Sequence, residues 1–243
     1  MKICLKIEYD GTDFCGWQIQ PNKRTIQQTV TDAIKTLTGE EVNLVGSGRT
    51  DSGVHARGQI AHFETKATIP AERFALALNT ILPSDVKIVE SFEVDESFHA
   101  RFSAKRKTYE YKMYISENPR PLKERYSTRI GFPLDIEKMK KACEHFVGRH
   151  DFRCFLASGS AVKDTVREIY RAEIFERDGD IIFEVCGNGF LYNMVRIMVG
   201  TLVKVGMGKI EANEVAEIIK VGERKGAGIT LPPQGLTLVS VEY

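Results

Sequence analysis

One succession of periodicities runs twice through this chain, and that restricts the folds open to it. Lys2–Tyr9 alternates as a strand, and behind Thr25-x-x-Gln28, a capping-box pattern, Ile26, Val30, Ile34 and Leu37 form one helical stripe that ends at Gly39. Strands are predicted near Val42–Ser47 and Gln59–Thr65, a helix from about Pro70 to Ile81, and a strand over Asp85–Val94. The second half predicts strand Lys105–Ile115, helix Asp135–Val147, strands Val166–Glu176 and Asp180–Cys186 around a turn at Arg177-Asp178-Gly179-Asp180, helix Phe190–Val205 and strand Leu236–Val241. An additional helix spans roughly Glu211–Val221. Each half therefore reads β-α-β-β-α-β, the split arrangement of ferredoxin-like and RNA-recognition folds. The expected class is α+β: two antiparallel sheets, each covered by helices on one face, with the open faces free to form a cleft. The expected domains are residues 1–103 and 104–243.

That topology hosts many unrelated functions, so the chemistry must come from particular residues. With 243 residues and 42% hydrophobic content, the chain can bury one large core or two smaller ones. Met1–Asp10 lacks a continuous apolar segment and no run of about 18 apolar residues occurs, so neither export nor membrane insertion is expected and a cytoplasmic location is. Cys4, Cys15, Cys143, Cys154 and Cys186 are scattered without a Cys-x-x-Cys pair and read as reduced thiols. Cys143, His145, His150 and Cys154 lie within a short span. Cys143 and His145 nevertheless point to different sides of a predicted helix, so no metal site is expected and packing around His150-Asp151-Phe152 is preferred.

The most chemical stretch is Gly46-Ser47-Gly48-Arg49-Thr50-Asp51-Ser52-Gly53-Val54-His55-Ala56-Arg57-Gly58, which sets one carboxylate between two arginines on a glycine-rich loop. A carboxylate beside guanidinium groups stays ionised and suits a nucleophile or an electrostatic partner better than a proton donor. The plain alternative is an Asx-type turn with solvated arginines. Arg196 poses a related problem. Its helix is otherwise apolar, with Leu191, Met194, Val195, Ile197, Met198, Val199 and Leu202, so its guanidinium either finds an anion and further acceptors or snorkels to the helix edge.

The Asp51 loop resembles the GRTDxGVHA motif of the pseudouridine synthases, specifically of the tRNA pseudouridine synthase A family. Tyr9-Asp10-Gly11-Thr12-Asp13-Phe14-Cys15-Gly16-Trp17-Gln18, Phe98-His99-Ala100-Arg101-Phe102-Ser103-Ala104 with Lys107-Thr108-Tyr109-Glu110-Tyr111, Gly187–Arg196 and Pro232-Pro233-Gln234-Gly235-Leu236 resemble further blocks of that family. Leu231 departs from it, since the family more often has Ala there. The resemblance implies the pseudouridine synthase fold with a catalytic cleft between its halves, no cofactor, and a homodimer acting on uridines 38, 39 and 40 of the tRNA anticodon stem-loop. It further implies that Asp51 is the essential carboxylate, attacking C1′, adding to C6 or taking a proton from C2′. Arg196 would pair with Asp51, Tyr109 would pack on the uracil, and Arg49 and Arg57 would bind phosphates or brace the loop. His55 would contact RNA or pack within the loop.

Charge adds an independent hint. Residues 1–103 carry 11 basic against 14 acidic side chains, and residues 104–243 carry 23 against 19. Arg101, Lys105, Arg106, Lys107, Lys112, Arg120, Lys123, Arg125 and Arg129 crowd the middle of the chain, interleaved with Tyr109, Tyr111, Tyr114 and Tyr126. Cations for phosphates and aromatic faces for bases suit RNA. A non-catalytic RNA-binding protein would share this stretch. It would have no use for Asp51, because a carboxylate beside a phosphate track repels the ligand.

Overall fold

The structure, a computed structural model, describes residues 1–243. The chain builds two compact units, Met1–Lys105 together with Thr237–Tyr243, and Arg106–Leu236.

The first unit contains β1 (Lys2–Tyr9), α1 (Ile26–Thr38), β2 (Val45–Gly46), β3 (His55–Glu64), α2 (Phe74–Asn79), β4 (Val86–Val94) and β10 (Leu236–Glu242). Helix α1 starts where the capping pattern requires: the Thr25 hydroxyl accepts the Gln28 amide, and Gly39 closes the other end in the left-handed conformation. Its buried stripe is Ile26, Val30, Ala33 and Ile34. Strand β1 lies between β4 and β3, antiparallel to both, with Leu5 opposite Ser91 and Ala61. The face opposite Ile3, Leu5 and Ile7 is not fully open as expected. A small cluster of Cys4, Ile60 and Ala100 occupies it, with Phe92, Val94, Phe98 and Val241 packed around.

The largest departure from the repeat concerns the last strand. Strand β10 pairs in parallel with β3, placing Thr237 opposite His55 and Leu238 opposite Ala56. Gly58 allows this approach, since a Cβ there would stand 2.5 Å from the Val239 carbonyl oxygen.

The second unit holds β5 (Arg106–Ile115), β6 (Thr128–Ile130), α3 (Ile136–Glu144), β7 (Gly148–Asp151), β8 (Val166–Arg177), β9 (Asp180–Gly187), α4 (Met194–Gly206) and α5 (Glu214–Val221). Its sheet runs β5-β9-β8-β7 in antiparallel steps, and β6 adds to β5 in parallel. Phe146, Phe155, Phe183, Val185, Met139 and Ile197 form the core beneath α3 and α4. Helix α4 begins later than its apolar pattern suggests, because Asn193 takes a left-handed φ of 60° and leaves residues 188–193 as a loop. None of the helices is long and apolar enough to cross a membrane.

Candidate active site

Two sequence blocks of the first unit turn out to be one object. Residues 10–24 wrap around the Asp51 loop and hold its backbone. The Trp17 amide donates to the Thr50 carbonyl at 3.0 Å, and the Thr50 hydroxyl shares a 2.8 Å hydrogen bond with the Tyr9 hydroxyl. The Phe14 carbonyl accepts the Gly53 amide at 3.3 Å and the Ser52 hydroxyl at 3.1 Å. Within the loop, the Val54 amide donates to the Asp51 carbonyl at 3.1 Å, closing a tight turn. Gly11 must be glycine for this nesting, as a Cβ there would lie 2.0 Å from the Val54 carbonyl oxygen. Burial pushes the Tyr9 phenol up to about 12, so it stays neutral beside Thr50.

The wrapping segment is itself anchored. Arg24 binds the Asp85 carboxylate through both terminal nitrogens, at 2.8 and 2.9 Å, while its guanidinium lies 3.9 Å from the Phe14 ring centroid. On the other side of the loop, Gln59 accepts from the Ser47 hydroxyl at 2.6 Å and donates to the Gly48 carbonyl at 3.1 Å.

His55 is 4% exposed, with Nδ1 accepting the Gly11 amide at 3.0 Å. The same nitrogen lies 3.2 Å from the Asp10 carboxylate. One ring nitrogen thus meets both a backbone amide and a carboxylate of the wrapping segment. The ring braces the loop from inside. Arg49 and Arg57 are exposed, and Asp51 is half-buried between them in sequence.

Tyr109 and Arg196 belong to the second unit. Tyr109, on β5, is 9% exposed and meets the Phe190 ring edge-on at 5.1 Å. Two residues along the same face, Tyr111 is fully buried and its hydroxyl reaches Thr128 Oγ1 and the Pro232 carbonyl, both at 2.7 Å. Arg196 is half-buried on α4. Its Nε donates to the Leu231 carbonyl at 2.7 Å and a terminal nitrogen donates to Asn193 Oδ1 at 2.6 Å. Adjacent carbonyls of the Leu231-Pro232 segment thus hold Arg196 and Tyr111. Since Leu231 acts through its backbone, its departure from the family pattern leaves this contact intact. Sequence reasoning missed Asn193 and these carbonyls. Asn193 had a signal, being an Asn at a helix entrance, whereas backbone acceptors have none.

Much of the basic and aromatic stretch serves the fold. Tyr109, Tyr111 and Tyr114 are buried, leaving Tyr126 as the exposed aromatic of the four. Lys123 pairs with Asp180 at 2.7 Å, and Arg129 donates to the Ser116 and Glu117 carbonyls. Arg101, Lys105, Arg106, Arg120 and Arg125 are exposed. No group of three or more His, Cys, Asp or Glu side chains is placed to hold a metal ion. Burial pushes the Cys4, Cys143 and Cys154 thiols up to about 12, which leaves them unreactive near neutrality.

Comparison with known proteins gives the class first: a pseudouridine synthase, an isomerase acting on uridine. A sequence model described as tRNA pseudouridine synthase matches residues 6–103 and 142–243, and the chain belongs to that family. It is 51% identical over 241 residues to a tRNA pseudouridine synthase A of Acetivibrio thermocellus, covering 99% of both chains. With the enzyme of the same name from Thermoanaerobacter sp. (strain X514) it shares 49% over 241 residues, again 99% of both, and with that of Exiguobacterium sp. 43% over 242 residues, 100% of this chain and 98% of that one. A chain of a solved Cbf5-Nop10-Gar1 complex matches at 17% identity and a TM-score of 0.35, covering 98% of this chain and 58% of that one, a likeness too low to place the fold.

Proposed function

We propose that this chain converts uridine to pseudouridine at positions 38, 39 and 40 of the tRNA anticodon stem-loop, working in the cytoplasm as a homodimer without metal or organic cofactor. The reaction breaks the N1–C1′ bond, turns the uracil and joins C5 to C1′. C5 loses a proton and N1 gains one, so the change is an isomerisation. The nucleotide must leave its stack first, and the enzyme then needs a fixed reactive group and a surface for the extruded base.

Asp51 is the reactive group in this reading, whether it attacks C1′, adds to C6 or takes the C2′ proton. All three uses require an ionised carboxylate, so a cation that orients it helps each equally. Arg196 takes that role, while Tyr109 packs on the uracil and Arg49 and Arg57 bind phosphates. His55 holds the loop from within. The observation that carries the reading is the clamping of Thr50, through its carbonyl by Trp17 and its hydroxyl by Tyr9, immediately before Asp51. Such a backbone presents the next side chain without reorganisation, which is what transition-state positioning demands.

The test is to map pseudouridine in unmodified tRNA after incubation with the wild-type chain and with Asp51→Ala. Wild type should modify positions 38–40 and Asp51→Ala none of them. RNA binding by the variant should stay within about threefold, because phosphate contacts dominate affinity. Near wild-type conversion by Asp51→Ala would reject Asp51, and conversion at other positions would reject the anticodon stem-loop.

A further inference from the structure

The segment Ala227–Leu231 follows no regular structure, yet its backbone is held at almost every step. The Lys204 ammonium donates to the Ala227 carbonyl at 2.9 Å, and Arg224 donates to the Gly228 carbonyl at 2.7 Å. The Gly228 amide donates to the Thr201 hydroxyl at 2.7 Å, and that hydroxyl donates to the Ile197 carbonyl at 2.9 Å. The segment presses directly on α4, one turn beyond Arg196. A Cβ on Gly200 would stand 2.0 Å from the Ile229 carbonyl oxygen, and one on Gly228 would stand 2.1 Å from the Gly200 carbonyl carbon. The segment then returns to Arg196, whose carbonyl accepts the Leu231 amide at 3.4 Å and whose Nε donates to the Leu231 carbonyl at 2.7 Å.

We infer that Arg224 and Lys204 are positioning residues for the reaction: by pinning the carbonyls of Gly228 and Ala227 they fix the Leu231 carbonyl that aims the Arg196 guanidinium. Ala227 and Gly228 are buried, so their carbonyls need partners, and two cations on consecutive carbonyls supply them. The same bonds remove the freedom of a peptide plane three residues further on, where a small rotation would swing Arg196 Nε out of line. The inference rests on the role given to Arg196 above.

The test combines Arg224→Ala, Arg196→Lys and their double variant, measured as single-turnover pseudouridine formation with saturating enzyme, alongside tRNA affinity and thermal unfolding. Arg224→Ala should slow the step by about 10- to 100-fold, the order expected for a misplaced catalytic group, with affinity within about twofold. Arg224→Lys should recover part of the rate. In the Arg196→Lys background the same change should add almost nothing, because both act through one group. A wild-type rate for Arg224→Ala, or losses that multiply in the double variant, would overturn the inference while leaving Arg196 in place. A wild-type rate for Arg196→Lys would instead reject the role of Arg196 itself. If Arg224→Ala does not fold, Lys204→Met tests the same segment from the helix side under the same criteria.

Discussion

The two units present their candidate residues by opposite means. In the first, Asp51 sits on a loop with no regular structure of its own, and rigidity comes from a second stretch of chain, Tyr9–Arg24, wrapped against it amide to carbonyl. In the second, Tyr109 and Arg196 stand on a strand and a helix with regular structure of their own, where the Leu231 carbonyl directs Arg196 and the Pro232 carbonyl holds Tyr111, two residues along from Tyr109. A loop built that way tolerates no change in either partner, because the backbones touch. An element built the other way loses one contact and keeps its axis.

The sharpest way to break the comparison is Gly11→Ala. The added Cβ would meet the Val54 carbonyl, which cannot move without the Asp51 turn moving too. Stability should fall by about 1–3 kcal/mol, the usual range for overpacking. Turnover should fall by roughly 100-fold from displacement of Asp51. Denaturant unfolding and single-turnover kinetics measure the two separately, and undiminished turnover would show that the clamp does not serve Asp51.

A smaller effect is expected from Tyr111→Phe in the second unit. It strands the buried Thr128 hydroxyl and takes a donor from the Pro232 carbonyl, and loss of a buried partner costs about 1–3 kcal/mol. Because β5 and α4 persist, the rate should drop far less than with Gly11→Ala. A rate loss as large as that of Gly11→Ala would mean that the two units are equally intolerant.

The mildest contrast is in acid. Burial first, and His99 second, hold the His62 imidazole below its ordinary 6.5, while its Nδ1 accepts the Ala100 amide. The unfolded chain therefore takes up this proton more readily, so the His62 contribution is complete above about 6.5 and declines as pH falls below it. In the second unit, hydrogen bonds from Arg153 hold Asp151 at about 2, and its contribution is lost only between 3.8 and that value. Hydrogen exchange at about pH 7 and about pH 5 should show loosening around His62 and none around Asp151. His62→Gln, which keeps an acceptor, should remove the difference.

What the sequence made legible follows the same divide between local and distant causes. Helix α1 could be read to the residue at its start because the Thr25 hydroxyl takes the Gln28 amide three residues on, although the Gln28 side chain turns to Asp32 and not back to Thr25. Strand β2 came out shorter than the Val42–Ser47 pattern because the Gln27 side chain takes the Leu44 carbonyl at 2.8 Å, a partner from another element. Strand β7, Gly148-Arg149-His150-Asp151, carries no apolar alternation and was invisible, although it pairs fully with β8. For β10 the alternation was correct but did not show its parallel pairing with β3. Asp51 and Arg196 were recognisable as unusual side chains, whereas Tyr109 was marked only by the family resemblance. Their supports are mainly carbonyl and amide groups, which every residue possesses and no sequence pattern marks.

The route of β10 has a consequence for how the protein comes into being. The first unit is split around the whole of the second, and the strand laid beside His55 and Ala56, directly behind the Asp51 loop, is made after all of it. A nascent chain on the ribosome can thus assemble the β1, β3 and β4 ladder early with β2 on β3, but the His55–Ala56 end of β3 lacks its parallel partner until translation reaches residue 237. Premature termination anywhere in the second unit leaves the Asp51 loop on an unfinished sheet. An unpaired strand edge of that kind is a surface open to pairing with other chains.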